Sequence, residues 1–407
     1  MVSVFVAIAT VYSMLRAIGW CRTKAIILKS VTPRFLIPIA LSLASAVAFA
    51  ADPPLDTIFA PLAGPDTPGL AVLVRQDGRT VFQHGYGVRD LRSLAKIDTA
   101  TDFRLASFTK QFTAMAIMLL VHDGKLRYDQ TLTEIFPDFP AYGKTITIRH
   151  LLTHTAGLPD YEDLMDEAEK GKPPIWTLAH QIQDREVLDL LKQQTRPKFA
   201  AGTSWSYSNS AYVVLGLIVA KVSGQTYGDF LRARIFQPLH MDQTLAFVNG
   251  SNTVPNRAYG HSKRQGKFVQ TDQSPTSATL GDGGVYSNIA DLAKWDDALA
   301  RHTLLGEPEM QPALVPAKLA DGSATRWPNT PGGDNLAPGR PVEYGFGWFL
   351  DSWQGRPRMW HTGTTQGFRT VIERFPESQV SVIILSNRTD LDPAALAERV
   401  AGQILKK

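Results

Sequence analysis

Cysteine is nearly absent from this 407-residue chain, whose only copy is Cys21. The bulky Trp20 precedes it, whereas a lipoprotein-type cleavage site has small residues before its cysteine. If residues 1–50 are removed as a leader, the mature protein has no thiol, no disulfide and no cysteine metal ligand. Such a protein must be stabilised by packing alone, and the chain is long enough to bury a sizeable core.

An excess of basic charge is also missing once the first 50 residues are set aside. The whole chain has a formal net charge of +4. Residues 1–50 hold five basic residues and no acidic one, which leaves 37 basic and 38 acidic residues in the remainder. Because the basicity belongs to the leader, we expect no nucleic-acid partner.

The same 50 residues predict an export signal. Residues 22–34 are positively charged, residues 35–47 are apolar, and Ala48-Phe49-Ala50 forms a small-x-small cleavage site. An uncleaved anchor is the alternative, but the apolar run is short against the roughly 20 residues of a membrane span. The apolar residues 1–20 represent either a mis-set start codon or a second hydrophobic segment. We expect an exported protein, periplasmic or extracellular, with no stable membrane span after cleavage.

Several common catalytic motifs are missing as well. The chain has no Gly-x-Ser-x-Gly elbow, no phosphate-binding loop and no dinucleotide fingerprint. His150 and His154 have the i, i+4 spacing of a zinc pair, but the glutamate of His-Glu-x-x-His and a nearby third ligand are lacking. These absences argue against an α/β-hydrolase and a zinc site, and we expect neither a metal nor an organic cofactor.

Strand patterns occur at both ends of the chain and helical patterns lie between them. An Asp-Gly at 77–78 between two apolar runs predicts a hairpin, and residues 107–122 predict a buried helix that stops at Asp123-Gly124. The other predicted helices are 148–155, 186–193, 211–223, 227–235 and 393–405, and the other predicted strands are 344–351, 356–361, 367–375 and 380–387.

This order of elements predicts one sheet whose strands come from both ends of the chain. We expect a leader at 1–50 and a single catalytic domain at 51–407, with its α/β part at about 51–124 and 276–407 and an inserted helical part at about 125–275. Residues 307–341 contain seven prolines and little periodicity. They predict a long loop, of the kind that often borders a functional site.

The sequence contains two copies of Ser-x-x-Lys, at Ser107–Lys110 and at Ser93–Lys96. Residues three apart on a helix share one face, so such a lysine can act as the base that activates the serine. Lys96 lies in a polar, charged stretch and is expected to be solvated. Lys110 lies in the predicted buried helix, where desolvation favours a proton-accepting amine and the helix N-terminus favours a developing negative charge. We therefore favour Ser107.

Two further motifs accompany the serine. Tyr-Ser-Asn occurs at 207–209 and again at 286–288, where Asn288 followed by Asp291 is typical of a helix N-cap. Tyr207 precedes an apolar helix and can present its phenol to a cleft, although packing is the alternative. His361 begins a single His-Thr-Gly at a strand end and is either structural or able to hold an anion or move a proton. Amides just past the glycine can pair with that of Ser107 to hold an oxyanion.

Taken in chain order, Ser-x-x-Lys, Tyr-x-Asn and His-Thr-Gly resemble the signature of the serine β-lactamase and penicillin-binding protein superfamily. The chain is most similar to the branch of class C β-lactamases, D-Ala-D-Ala carboxypeptidases and related esterases. Residues 151–159, 281–287 and 344–348 resemble structural signatures of that branch, so the resemblance spans most of the chain after the leader. It implies an α/β fold, with a β-lactamase-like antiparallel sheet flanked by helices and an inserted mainly helical region.

The resemblance also implies roles for individual residues. Ser107 would be the acylated nucleophile, Lys110 its partner in activation, and Tyr207 the base and acid. The backbone N–H groups of Ser107 and Thr364 would form the oxyanion hole. The residues implied for substrate binding are Asn209, His361, Thr362, Gly363 and Thr364.

One position departs from the class C pattern, because those enzymes have a lysine where this chain has His361. A lysine is charged and pairs well with the carboxylate of a β-lactam, whereas a histidine is charged only part of the time near neutral pH. Histidine at this position is typical of the carboxypeptidases, D-amino-acid peptidases and esterases. We therefore expect a serine hydrolase that acts on a small molecule or peptide, of D-alanyl peptidase or esterase type. The alternatives are a class C-like β-lactamase and an inactive penicillin-binding or interaction protein.

Overall fold

A six-stranded antiparallel sheet forms the centre of the computed structural model, which describes residues 55–329 and 339–406. The predicted leader and residues 330–338 of the predicted loop lie outside the described residues. The described strands are β1 (Leu70–Gln76), β2 (Arg79–Tyr86), β3 (Phe103–Arg104), β4 (Leu245–Ala246), β5 (His261–Arg264), β6 (Lys267–Gln270), β7 (Val285–Ser287), β8 (Phe349–Trp353), β9 (Arg356–Thr365), β10 (Phe368–Phe375) and β11 (Val380–Ser386).

Helices cover both faces of the sheet and fill the middle of the chain. The described helices are α1 (Asp56–Phe59), α2 (Lys110–His122), α3 (Leu132–Ile135), α4 (Ile148–Leu152), α5 (Tyr161–Glu169), α6 (Asp184–Lys192), α7 (Asn209–Ser223), α8 (Tyr227–Leu231), α9 (Ile289–Ala300), α10 (Glu307–Leu314) and α11 (Pro393–Ile404). Within the described ranges, no helix is both long enough and apolar enough to cross a membrane.

The strand order of the main sheet is β2-β1-β11-β10-β9-β8, so strands from the two ends of the chain lie side by side. The predicted hairpin is present: β1 and β2 pair through Asp77 and Gly78, which both have positive φ. Because successive side chains of a strand point to opposite faces, β1 contributes to two cores. Val72 and Val74 pack with α1 and α11, while Ala71 and Leu73 pack in the large core that includes α2 and α9.

The middle of the chain is mainly helical but also contains short strands that the sequence analysis did not predict. Strands β3, β7 and β4 form a three-stranded sheet, and β5 with β6 forms a two-stranded sheet. The predicted helix at 227–235 divides into α8 and a π-helical turn, Arg232–Phe236. Buried side chains from α2, α4 and α7 join this region to the large core.

The prediction of a loop across 307–341 is wrong at its start, where α10 lies. Pro308 is the second residue of this helix, at a position whose N–H has no intrahelical partner, so a proline is tolerated there. The N–H of Gly306 donates to the Glu309 carboxylate at 3.0 Å and completes the helix start. Counting prolines as breakers therefore overestimated the loop.

Candidate active site

Ser107 lies in a 3₁₀ turn, Ala106–Thr109, directly before α2, whereas the sequence analysis placed the start of the helix at Ser107 itself. In a 3₁₀ turn, residues i and i+3 eclipse each other, so the turn keeps Ser107 and Lys110 on one side. Ala106 has φ of +52°, which is a left-handed conformation that is unfavourable for a residue with a Cβ. The turn is thus held in a strained shape by its surroundings.

Two neighbouring elements hold the backbone just before Ser107. The Thr370 hydroxyl donates to the Leu105 carbonyl at 2.8 Å, and the Leu105 N–H donates to the Val285 carbonyl at 2.9 Å. A Cβ on Gly363 would lie 2.0 Å from the Leu105 carbonyl oxygen, so only glycine allows β9 to approach the turn this closely. The sheet and the serine turn are therefore fixed to each other.

Lys110 is fully buried beside Ser107. Its Nζ lies 3.1 Å from Ser107 Oγ, 2.8 Å from Asn209 Oδ1 and 3.0 Å from the Asp282 carbonyl oxygen. Asn209 is 99 residues from Lys110 and Asp282 is 172 residues away. Three distant segments of the chain thus converge on one amine.

These three contacts allow one proton to move between the Ser107 hydroxyl and the Lys110 amine. The oxygens of Asn209 and Asp282 can only accept, so the amine donates to both of them. The Ser107 hydroxyl can either accept from Lys110 or donate to it. A proton can therefore pass from Ser107 to Lys110 without any rearrangement of the other two hydrogen bonds, which is what a general base for this serine requires.

Tyr207 and Asn209 are positioned by the start of α7. Ser208 is the N-cap of this helix, and its hydroxyl accepts from the Ala211 N–H at 3.1 Å. Asn209 points its amide oxygen at Lys110, which directs the amide nitrogen away from that residue. The Lys110 amine also lies 4.9 Å from the centre of the Tyr207 ring. The structure thus brings Ser107, Lys110, Tyr207 and Asn209 together.

His361 is buried behind the site rather than exposed to it, with only 1% of its surface accessible. Its Nδ1 lies 2.6 Å from the Thr362 carbonyl, which can only accept, so Nδ1 carries the proton. Its Nε2 then accepts from the Tyr344 hydroxyl at 3.1 Å. Burial, together with the charge of Lys110, lowers the pKa of His361 to about 3. The expectation of partial charge near neutral pH is therefore wrong, because desolvation keeps the imidazole neutral.

The remaining residues of the predicted cleft strand lie on β9. Gly363 is buried against Leu105, Thr362 is half-buried and Thr364 is exposed. Gly363 and Thr364 pair with Thr370 and Arg369 of β10. The strand therefore passes next to the serine turn, and Thr364 lies at its solvent-accessible end.

The duplicate motifs differ from these residues as their sequence contexts predict. Lys96 has 60% of its side chain exposed and lies 3.8 Å from the Asp66 carboxylate. The Asn288 side chain accepts from the Asp291 N–H at 2.9 Å, which confirms it as the N-cap of α9. Neither copy joins the cluster around Lys110.

Two buried residues next to the candidate site, His154 and Tyr344, were not predicted from the sequence as site residues. In the sequence, His154 is half of a possible zinc pair, and both His154 and Tyr344 lie in stretches that resemble structural signatures of the family. Both are buried, and their rings lie 4.6 Å apart, with His154 also 4.5 Å from the Tyr207 ring. The sole signal was their position inside the signature stretches 151–159 and 344–348. Among the described residues, no group of three or more His, Cys, Asp or Glu is arranged to hold a metal.

Comparison with known proteins gives one family match and several relatives. A family model described as Beta-lactamase matches residues 55–406. Penicillin-binding protein 4* of Bacillus subtilis (strain 168) is 29% identical over 354 residues, which cover 83% of this chain and 72% of that protein. Protein flp of Staphylococcus aureus (strain MRSA252) is 24% identical over 342 residues, covering 83% of this chain and 63% of that protein. The chain thus spans only part of each relative.

Solved structures share the architecture described above. The octameric penicillin-binding protein homologue from Pyrococcus abyssi has a TM-score of 0.70 and 24% identity, covering 84% of this chain and 74% of its own. The D-amino acid amidase from Ochrobactrum anthropi SV3, in complex with L-phenylalanine, has a TM-score of 0.67 and 24% identity, covering 86% and 96%. These likenesses, with the family match, confirm the predicted fold class.

Proposed function

The chain belongs to the beta-lactamase family and is a serine hydrolase, and on that premise we propose that Ser107 is the nucleophile and accepts acyl groups from esters or D-alanyl peptides. One observation carries the proposal. The buried Lys110 amine lies 3.1 Å from Ser107 Oγ while two fixed acceptors hold it in place. That arrangement gives the serine a base whose position does not depend on solvent.

In the proposed reaction, Ser107 Oγ attacks the substrate carbonyl carbon and its proton passes to the Lys110–Tyr207 pair. We assign the developing oxyanion to the N–H groups of Ser107 and Thr364, and the substrate amide to Asn209. The bond to the leaving amine or alcohol then breaks, and Tyr207 returns the proton to the leaving atom. A water molecule attacks the acyl-enzyme with the same groups in reverse order, which releases a carboxylic acid and restores Ser107.

The state of His361 supports a substrate that places no carboxylate at this position, such as an ester or a D-alanyl amide, over a β-lactam. A permanent cation at this position would pair with the carboxylate of a penicillin. His361 is neutral, with Nδ1 donating to Thr362 and Nε2 accepting from Tyr344, so it offers no charge to such a group. Efficient β-lactam hydrolysis is the second candidate function. It is favoured by the match to the family model described as Beta-lactamase.

Mass spectrometry of the intact protein tests this proposal. The purified protein is exposed separately to a p-nitrophenyl ester, a D-alanyl peptide and a penicillin, and adducts are mapped by proteolysis. We expect an acyl group on Ser107, with ester or peptide turnover exceeding penicillin turnover, and a long-lived penicillin adduct. The Ser107→Ala variant should take up no acyl group, whereas Ser93→Ala should behave as the wild type.

Two results would contradict it. An adduct on any residue other than Ser107 would overturn the assignment of the nucleophile. Rapid release of the penicillin acyl group, faster than ester turnover, would favour the β-lactamase candidate over the peptidase or esterase.

We also propose that the protein is exported and that its leader is removed after Ala50. The charge and apolar pattern of residues 1–50 supports this proposal. The same intact-mass measurement, made on protein expressed from the full chain in a bacterial host, reports the mature N-terminus. A mature chain that begins at Ala51 in the periplasm or medium is the expected result, and a full-length chain in the cytoplasm would contradict it.

A further inference from the structure

His154 has an unusual backbone conformation just past Thr153, the residue that caps the end of α4. Its φ is +60°, in the left-handed region, where histidine and asparagine are found more often than most residues. Only 1% of its surface is accessible. A buried polar ring in a strained conformation requires a reason, because both features oppose folding unless the ring makes specific contacts.

The contacts of His154 hold the backbone on both sides of Tyr207. The Ser208 N–H donates to His154 Nδ1 at 3.1 Å, and the Ser206 N–H donates to the His154 carbonyl at 3.0 Å. The imidazole also packs against the Tyr207 ring, with ring centres 4.5 Å apart. One residue thus fixes the two neighbours of Tyr207 and touches its ring.

The chemistry of the ring makes this arrangement specific to neutral histidine. A backbone N–H can only donate, so Nδ1 must accept, and the proton of the neutral ring lies on Nε2. Burial, together with the charge of Lys110, lowers the pKa of His154 well below its ordinary value. Protonation of Nδ1 would place two donors against each other at Ser208. His154 is therefore held as the opposite tautomer to His361.

From these contacts we propose that His154 is a positioning residue for Tyr207: its Nδ1 fixes the Ser208 amide and its ring fixes the phenol that faces Lys110. This inference rests on the proposed role of Tyr207 in proton transfer. It assigns a function to the stretch 151–159, which carries His154, beyond holding the helical part together.

Two substitutions of His154, compared with each other, show the effect of the hydrogen-bond acceptor at Nδ1 without that of the ring. His154→Asn and His154→Gly both tolerate positive φ, and both remove the ring. Only asparagine keeps an acceptor, because its Oδ1 is bonded to Cγ as histidine Nδ1 is. His150 provides a matched control, since its Nδ1 accepts from the Thr147 N–H at 3.2 Å in the same manner but at the start of α4.

The measurement is steady-state ester hydrolysis by the full chain, normalised to sites that a fluorophosphonate labels, with the melting temperature of each variant. We expect His154→Gly to lower kcat about 100-fold with little change in KM, because a small displacement of a catalytic group has effects of that size. His154→Asn should stay within about tenfold of the wild type. His150→Ala should lower the melting temperature while kcat is unchanged.

Equal loss of kcat in His154→Asn and His154→Gly would overturn the proposal, as would a loss confined to KM. If His154→Gly does not fold, selective ¹⁵N labelling of histidine in the wild-type protein gives a second test. The proton of His154 is expected on Nε2 and that of His361 on Nδ1, and a His154 protonated on Nδ1 would overturn the proposal. A wild type that takes no acyl group on Ser107 would instead show that the proposed function has failed.

Discussion

The two Ser-x-x-Lys copies of this chain have the same spacing and different surroundings. In the first, the Ser93 hydroxyl lies 3.3 Å from the Asp90 carboxylate, and the Lys96 side chain is 60% exposed near Asp66. In the second, Ser107 and Lys110 lie 3.1 Å apart, and Lys110 is fully buried. Only in the second copy do the serine and the lysine form a hydrogen bond with each other.

The backbone explains the difference. Leu94, between Ser93 and Lys96, has φ of +56°, so the chain turns and the two side chains do not share a face. The 3₁₀ turn at Ala106–Thr109 eclipses Ser107 and Lys110, and the acceptors Asn209 and Asp282 then hold the amine. The Ser-x-x-Lys spacing alone therefore does not make a candidate site. The 3₁₀ turn and the buried acceptors of Lys110 distinguish the second copy from the first.

Exchanging each lysine for methionine should give the largest contrast between the copies. Lys110→Met removes the proposed base and leaves the Asn209 and Asp282 oxygens without their donor, so we expect kcat/KM for an ester to fall about 10³- to 10⁴-fold. Lys96→Met should leave kcat/KM unchanged, because that amine is solvated. Steady-state kinetics measure both, and equal effects of the two substitutions would show that burial does not distinguish the copies.

The paired tyrosines extend the comparison to the second duplicated motif. Tyr207→Phe removes the phenol beside Lys110, and we expect acylation to slow about 10²- to 10³-fold. Tyr286→Phe loses a hydroxyl that bonds Arg257 at 3.1 Å, so it should lower the melting temperature without changing the acylation rate per folded molecule. Stopped-flow acylation by a chromogenic ester distinguishes them. A Tyr207→Phe variant as fast as the wild type would remove Tyr207 from the mechanism.

We expect acid to lower the free energy of unfolding, because the buried His361 next to this site is neutral in the folded protein. The unfolded chain takes up a proton on this histidine below pH 6.5, whereas the folded protein does so only near pH 3. Stability should therefore fall as the pH drops through this window, by about 3 kcal/mol between pH 7 and pH 4 for this group. His361→Asn should lack that part of the loss, as measured by urea unfolding at both pH values.

Ser386→Ala supplies the control for this experiment, because it removes a buried hydroxyl that donates to the Gly69 carbonyl and that does not titrate. Its loss of stability should be the same at both pH values. If His361→Asn also retained the full acid dependence, the neutral state of the buried histidine would be refuted.

The main parts of this site were predictable because three motifs, taken in chain order, resemble the signature of a known family. Ser107, Lys110, Tyr207 and Asn209 followed from motifs in sequence, and the burial of the helix distinguished Ser107 from Ser93. The third acceptor of Lys110 is a backbone carbonyl, which has no residue signature, so Asp282 could not be identified. The positive φ of Ala106 is equally hidden, because it is imposed by contacts from β7 and β10 that form only in the folded chain.

The smallest expected effect concerns the 3₁₀ turn that carries Ser107. Contacts from β7 and β10 hold the backbone directly before this turn. Thr370→Val removes the hydroxyl that donates to the buried Leu105 carbonyl, and the loss of this hydrogen bond should cost about 1 kcal/mol of unfolding free energy. Ser386→Ala removes a similar buried bond, from its hydroxyl to the Gly69 carbonyl at 3.1 Å, elsewhere in the sheet. Both variants should lose stability by urea unfolding, but only Thr370→Val should also lower the acylation rate, by about tenfold. Equal acylation rates in the two variants would mean that the strained turn holds Ser107 in place without the help of β10.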